Sequence, residues 1–429
     1  MAVYYVPAGM ESYLNTNTTL YAVDDKSPRA STFTRFDKLW TTGQHKLRYS
    51  KQPFNHPLRF EDGYDRCTSF TGPAYFKDNG IKMVLINPAS KPHGYNSLKD
   101  AGIITICDSG GFQLLKGTQS FIDPVEVGKS YNRLANIGMD LDIPASWCKM
   151  EKADFKALAL IQKANYERMK EVIKPSVKLC LVNHGYDVEA RQRNFEYLDR
   201  PASDVEYLSV AGFAVDIRSP IRYELRFVEA ILNAIATYPK VKYLHCLGAT
   251  SFNCFAVYCL IEHLGLVKNI GGDSVSYLMD QASGRYTLNY PFLRYVFPKN
   301  THVFTRLNCQ CNVCTLVQDA TLINSYLSNS HNLLAYKGHI DYLYDLTGHM
   351  IKGDISIADY LKISTLNIPL PDYQKLYDYV MEFAATRKFK PLAGVRTNSL
   401  FERKVNKNVY AHYEKVIEAY EAYYQKRFR

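Results

Sequence analysis

From about Lys82 onward, short apolar runs alternate with longer segments of helical periodicity, and few architectures accept that alternation. The candidate strands are Met83-Val84-Leu85-Ile86, Ile103 to Ile106, Met139 to Ile143, Val177 to Val182, Tyr207 to Val210, Tyr243 to Leu247 and the segment around Ser274 to Leu278. Between them lie stretches such as Asp154 to Val172 and Arg222 to Thr237, whose apolar residues recur at helical spacing. Repeated strand–helix units dictate a parallel sheet. Roughly seven or eight such units point to a closed (β/α)8 TIM barrel. An open doubly wound sheet is the runner-up, but no Gly-x-Gly-x-x-Gly fingerprint follows the first strand.

The polar residues with chemical potential fall at the C-terminal ends of these strands, which in a barrel converge on one rim. Asp108 follows the second, in Asp108-Ser109-Gly110-Gly111-Phe112-Gln113, where two glycines permit a sharp turn under a flat ring. In isolation this hexamer also fits an ordinary loop with Asp108 capping a helix. Asp142 ends the third strand, Asn183-His184-Gly185 follows the fourth, and Gly212-Phe213 the fifth. Leu247-Gly248 ends the sixth, and Asp273 lies at the seventh. The shared register outweighs any one motif.

Composition narrows the class further. Hydrophobic content of 47% and charged content of 22% are those of a soluble globular protein. No apolar run spans a bilayer, and Met1-Ala2-Val3-Tyr4-Tyr5 lacks the features of a signal peptide, so the expected location is the cytoplasm, with no membrane partner. A net charge of +10 suits a polyanionic partner. Towards the end the chain interleaves cations with rings, as in Arg387-Lys388-Phe389-Lys390, Arg403-Lys404-Val405-Asn406-Lys407 and Tyr423-Tyr424-Gln425-Lys426-Arg427-Phe428-Arg429. Such a tail can hold phosphates and stack on bases, or it can be a solvated amphipathic helix diluted by Glu414, Glu418 and Glu421.

Most of the ten cysteines, such as Cys107, Cys180, Cys246, Cys254 and Cys259, sit singly in apolar segments as small hydrophobes. Three cluster in Cys309-Gln310-Cys311-Asn312-Val313-Cys314, and sixteen residues separate Cys314 from His331. Three thiolates and one imidazole make a closed tetrahedral site for one structural Zn2+. His331 is preferred because it starts an apolar helical run, with His339 and His349 as the other candidates downstream.

These motifs, in this order, closely resemble the tRNA-guanine transglycosylase superfamily. The resemblance runs from roughly Met83 to the helix beginning at His331. It implies a zinc-containing (β/α)8 barrel that exchanges a guanine in a polynucleotide for a 7-deazaguanine such as preQ0, preQ1 or queuine, through a covalent enzyme–nucleic acid intermediate. Gly272-Asp273-Ser274-Val275-Ser276-Tyr277, running on to Gly284-Arg285-Tyr286, resembles the archaeal form of the nucleophile motif, which makes Asp273 the nucleophile. By the same resemblance Asp108 is the general acid and base, Asp142 reads the base, and Phe112 stacks on it. Ser109, Gly110, Gly111, Gln113, Asn183, Gly212, Phe213, Leu247 and Gly248 complete the expected base pocket. The chemistry agrees, because a carboxylate can trap an oxocarbenium-like C1′ while a second one protonates the departing purine. Two segments depart from the family pattern. Its Gln-Gly-Gly is Asn183-His184-Gly185 here, and its Leu-Ala-Val-Gly-Glu is Phe213-Ala214-Val215-Asp216-Ile217, which leaves the inserted deazaguanine open.

The archaeal-like active-site motifs, without room for the archaeal RNA-binding domains, and the unfamiliar basic tail together resemble the 7-deazaguanine DNA transglycosylase branch of bacteria and phages. That branch implies a bacterial cell or phage-infected host, and DNA as partner, with tRNA as the alternative. A non-catalytic nucleic-acid-binding accessory subunit is a third reading, though such subunits lose the carboxylates that this chain keeps. A homodimer or a partner protein is compatible with all three. The expected organisation is an irregular N-terminal segment over 1–75, the catalytic barrel over 76–300, a zinc-binding subdomain with the last barrel helix over 301–360, and a basic, mainly helical C-terminal extension over 361–429.

Overall fold

The computed structural model describes residues 2–8, 76–77, 80–87, 98–99, 101–115, 117–144, 152–185, 187–212, 220–274, 285–287, 294–296, 325–364, 366–392 and 407–427. Eight strands form one sheet: β1 (Ala2–Pro7), β2 (Met83–Ile86), β3 (Ile104–Cys107), β4 (Ile137–Met139), β5 (Lys178–Asn183), β6 (Tyr207–Val210), β7 (Tyr243–Cys246) and β8 (Asn269–Ser274). Their order is β1-β8-β7-β6-β5-β4-β3-β2, with every pair parallel. The two ends of that order, β1 and β2, lie beside each other, so the sheet wraps into a nearly closed (β/α)8 barrel.

Helices separate the strands. After β3 come α1 (Gly111–Leu115) and α2 (Pro124–Leu134), after β4 α3 (Lys152–Val172), and after β5 α4 (Val188–Leu198). After β6 comes α5 (Pro220–Thr237) and after β7 α6 (Phe252–His263). A two-stranded antiparallel ribbon, β9 (Arg285–Thr287) with β10 (Arg294–Val296), precedes the long α7 (Ser325–Lys352). The chain ends in α8 (Ile357–Ser364), α9 (Leu370–Thr386) and α10 (Lys407–Arg427).

Strand parity sorts the core into two. Val6, Met83, Leu85, Ile106, Ile137, Met139, Cys180, Val182 and Tyr243 make a small cluster that fills the barrel. Their neighbours Val84, Ile86, Cys107, Leu181, Leu208, Leu244, Cys246 and Ile270 face the surrounding helices in a larger one. Alternate residues of a strand point to opposite faces, and here both faces are covered, so the strands read as near-continuous apolar runs. The five singly placed cysteines are buried free thiols.

Three strands differ from expectation. Ala2–Pro7 is no irregular segment: it pairs with the last barrel strand, Val3 opposite Ile270 and Val6 opposite Asp273. It was hidden because it lies far in sequence from the strand–helix rhythm that begins near Lys82. Residues 9–75, the rest of that expected segment, lie outside the described residues. The third candidate strand ends at Met139 rather than running to Ile143. The Asp140 carboxylate then accepts the Val182 N–H at 2.9 Å, and the chain leaves the ladder. The seventh spans Asn269–Ser274, earlier than the segment around Ser274 to Leu278. Gly271 and Gly272 blur its pattern, and crowding requires both. A Cβ on Gly271 would lie 2.7 Å from the Tyr4 carbonyl oxygen, and one on Gly272 2.6 Å from that of Ala249.

Candidate active site at the strand ends

Each rim carboxylate is placed by the end of its own strand. Asp108 follows β3, with its backbone N–H donating to the Ile86 carbonyl at 2.9 Å, as if extending the strand by one residue. The turn after it is locked around Asp142. Ser109 Oγ donates to Asp142 Oδ1 at 2.7 Å, and Gly110 takes φ 87°, where a side chain would be strained. Gly111 has to be glycine, since a Cβ there would come within 2.4 Å of the Asp142 carbonyl oxygen. Gln113 lies within α1, which Gly111 begins, and its buried Oε1 has no partner among the described residues. Phe112 is on α1, but its side chain is outside the described residues, as is all of Phe213.

Asp142 takes a second contact from the end of the neighbouring strand, β5. His184 Nε2 lies 2.8 Å from Asp142 Oδ2, and both side chains are buried. Asn183 does not join them. By parity it faces the helices, where its Nδ2 donates to the Arg191 carbonyl at 3.1 Å and to Asn194 Oδ1 at 3.0 Å. Of this pair it is His184, and not the expected Asn183, that reaches the rim carboxylates. Arg191 also reaches the Ala211 carbonyl at 2.6 Å, tying the ends of β5 and β6 just before Gly212, which takes φ 95°.

Asp273 sits at the end of β8. Its Oδ1 accepts the Gly248 N–H at 2.9 Å and lies 3.0 Å from His245 Nε2. On the other side of that ring, Tyr243 Oη is 2.7 Å from His245 Nδ1. Tyr243 and His245 are two residues apart on β7, so both point into the barrel. Gly248 serves through its backbone and takes φ 67°. Leu247 packs on the inner core cluster.

Asp108 feels the other two carboxylates. Burial, then the charges of Asp142 and Asp273, push the Asp108 carboxyl up to about 7, while the N–H groups of Gly110 and Ser109 pull the other way. Behind the rim, Asp140 is wholly buried and accepts from Gln162 Nε2 at 2.8 Å; burial and the neighbouring Asp142 raise its carboxyl. A carboxyl held protonated near neutral pH is what proton transfer to a departing group requires. His245 and Tyr243 were not singled out from the sequence, and His184 was named only as part of Asn183-His184-Gly185, although strand parity marks all three as inward-facing.

Of the expected metal ligands, Cys309, Cys311 and Cys314 lie outside the described residues. His331 is buried in the early part of α7. Of the other candidates on that helix, His349 is bonded through Nδ1 to Asp354 at 2.9 Å near its C-terminal end. His339 packs edge-on to Phe252, and burial lowers its pKa to about 4. No group of three or more potential ligands forms among the described residues.

The tail docks on the barrel through its tyrosines. Tyr413, Val416 and Tyr420 form a buried stripe on α10. Tyr413 Oη donates to the Pro144 carbonyl, Tyr420 Oη to that of Ile122 at 2.9 Å, Tyr423 Oη to Asp123 Oδ1 at 3.1 Å and Tyr424 Oη to Asn165 Oδ1 at 2.7 Å. Tyr423 and Tyr424, two of the rings that could stack on bases, thus help to hold the helix in place. No helix among the described residues is long and apolar enough to cross a membrane.

No protein-family model matches the sequence, and no curated protein matches it. Among solved structures, an L-ribulose 3-epimerase is similar, with 12% identity and a TM-score of 0.36 over 68% of this chain and 92% of that one.

Proposed function

We propose that the protein is a base-exchange transglycosylase that replaces guanine in DNA with a 7-deazaguanine of the preQ0 type. The observation that carries this reading is the meeting of Asp108, Asp142 and Asp273 at one barrel rim, with Asp108 pushed up to about 7 by burial and the other two charges. In the first half-reaction, Asp273 Oδ2 attacks C1′ of the target nucleotide. The C1′–N9 bond breaks, its electron pair goes to the purine, and the Asp108 proton neutralises the departing base. In the second, the incoming deazaguanine gives its proton to the Asp108 carboxylate, its nitrogen bonds to C1′, and the C1′–Oδ2 electron pair returns to Asp273. Atoms and charge balance with no redox partner.

Asp142 is suited to read the base. Ser109 and His184 each engage one of its oxygens, and the remaining lone pairs can accept the N1–H and exocyclic NH2 of a purine. A duplex guanine has to be flipped out of the stack to reach this rim. DNA as the polynucleotide rests on the resemblance and on the net charge of +10. The decisive experiment offers labelled guanine or preQ0 with duplex DNA and, separately, with unmodified tRNA, and looks for incorporation. Label entering tRNA alone would replace DNA by tRNA. Asp273→Ala should cut exchange by roughly 10^4-fold or more and abolish the adduct seen on denaturing gels; an adduct that persists moves the nucleophile elsewhere.

The donor set Cys309, Cys311, Cys314 and His331 has the chemistry of a closed zinc site, which supplies folding free energy and takes part in no step of the exchange. Metal analysis should find one zinc per chain, and Cys311→Ser should lose both the zinc and thermal stability. A metal-free variant that stays folded and fully active would remove the site.

A further inference from the structure

We propose that His245 and the Gly248 N–H together bind one oxygen of Asp273 and so set how fast the covalent intermediate breaks down. This deepens the reading of Asp273 as the nucleophile and rests on it. Both donors converge on Oδ1, at 3.0 Å and 2.9 Å, and among the described residues no donor reaches Oδ2. The two oxygens therefore differ before any substrate arrives. Oδ2 keeps its lone pairs for C1′, and in the adduct Oδ1 becomes the ester carbonyl oxygen.

Donors fixed on Oδ1 act mainly on the return step. When the C1′–Oδ2 bond breaks, negative charge comes back to the carboxylate, and N–H groups already in place stabilise it without reorganisation. They bind the carboxylate more tightly than the neutral ester, because a hydrogen bond to a charged acceptor is the stronger one. His245 thus costs Asp273 some nucleophilicity and makes it a better leaving group. An enzyme that attaches and detaches at the same atom has to be released as readily as it attacks.

The orientation of the histidine is set from behind. His245 is fully buried, so its ring meets only fixed partners. Burial raises the Tyr243 hydroxyl well above its ordinary pKa, so it keeps its proton and can donate to Nδ1. That leaves the Nε2 hydrogen facing Asp273, the tautomer a carboxylate needs. Tyr243 and His245 are positioning residues that act through Asp273.

The test compares adduct lifetimes in full-length wild type, His245→Gln, His245→Leu and Tyr243→Phe. Adduct formed with a guanine-containing duplex is chased with excess free guanine and followed on denaturing gels. His245→Leu should slow adduct breakdown by roughly 10- to 100-fold and raise the steady-state adduct. Glutamine, whose amide can donate from about the Nε2 position, should restore much of the rate, and Tyr243→Phe should show a smaller slowing. A structural role alone would lower melting temperature and total activity without shifting the partition between adduct and free enzyme. A folded His245→Leu whose adduct decays at the wild-type rate overturns the proposal. If leucine is not tolerated in the core, Tyr243→Phe decides it, and a wild-type decay rate there overturns it too. Absence of any adduct in wild type, with DNA or tRNA, is distinguishable: it defeats the transglycosylase reading and this proposal with it.

Discussion

Two of the three rim carboxylates have a histidine at hydrogen-bond distance, and among the described residues the third has none. Asp142 faces His184 at 2.8 Å and Asp273 faces His245 at 3.0 Å, each across a strand boundary. Asp108, on the opposite side of its own Gly-Gly turn, sets the N–H groups of Ser109 and Gly110 against burial and two like charges. The difference teaches how one residue type is given different tasks within one rim. Donors orient the carboxylates of Asp142 and Asp273, whereas burial beside other carboxylates keeps Asp108 protonated near neutral pH.

Asp108 is where this contrast can be broken most visibly. Asp108→Asn should lower exchange by about 10^2- to 10^4-fold, the usual contribution of a positioned acid and base, while free guanine still binds. In wild type the protonated form is lost as pH rises through about 7, so kcat/KM should fall by roughly tenfold per pH unit above that point. Stability follows the same proton. The folded value lies above the ordinary 3.8, so the contribution of Asp108 is fully present below about 3.8 and is lost as pH rises through about 7. Asparagine cannot ionise, so its melting temperature should gain on wild type between about pH 4 and pH 8. Parallel melting curves across that window would show that Asp108 ionises normally.

The Asp142 pair sharpens the comparison at smaller scale. Asp142→Asn replaces an acceptor by a group that is half donor, and should raise KM for guanine on the order of 10- to 100-fold with less effect on kcat. His184→Asn should move KM in the same direction and by less, because Ser109 still holds Oδ1. Equal losses of kcat from both variants, with KM unchanged, would put Asp142 in the chemistry rather than in base reading.

Much of this was legible in the sequence, and the exceptions have physical causes. Buried parallel strands such as Met83–Ile86 announce themselves because both faces are covered, and their ends carry the site. Asn269–Ser274 did not, because close approach to Tyr4 and Ala249 replaces apolar side chains by Gly271 and Gly272. The choice between Asn183 and His184 turns on where β5 ends, and one residue of register sends a side chain to the opposite face. His245 shows the same limit. Its inward direction follows from parity, but its contact with Asp273 depends on the pairing of β7 with β8, and sequence alone does not supply that pairing.

The tail offers the gentlest test, and the structure divides it into two ends. Arg387 caps α9 in a left-handed conformation and points a guanidinium at the Gly265 carbonyl, 3.4 Å away, in the connection that leads into the start of β8. That places Arg387, Lys388 and Lys390 towards the face opposite the carboxylates, and Lys390 is also paired with Glu382 at 2.8 Å. By contrast α10 begins near the rim, where Tyr413 meets Pro144, and descends along α3 to the contact of Tyr424 with Asn165. Its exposed face carries Glu414, Glu418 and Glu421 against Lys415, so the helix itself is a poor surface for phosphates. Arg403 and Lys404 lie outside the described residues and Lys407 is the first residue of α10; these three are the cations to test. Neutralising these three should raise KM for DNA several-fold and leave kcat and melting temperature nearly unchanged. The salt slope of binding should fall by about one for each phosphate that the variant no longer neutralises. Neutralising Arg387, Lys388 and Lys390 should leave the slope as it was. Deleting all of α10 is the blunter variant, because it uncovers Phe121 and removes the bonds to the rim loops at Pro144 and Ile122. It should therefore lower stability as well as affinity. Equal salt slopes from the two triple variants would mean that DNA does not distinguish the two sets of cations, and the tail would then be a folding element of the barrel alone.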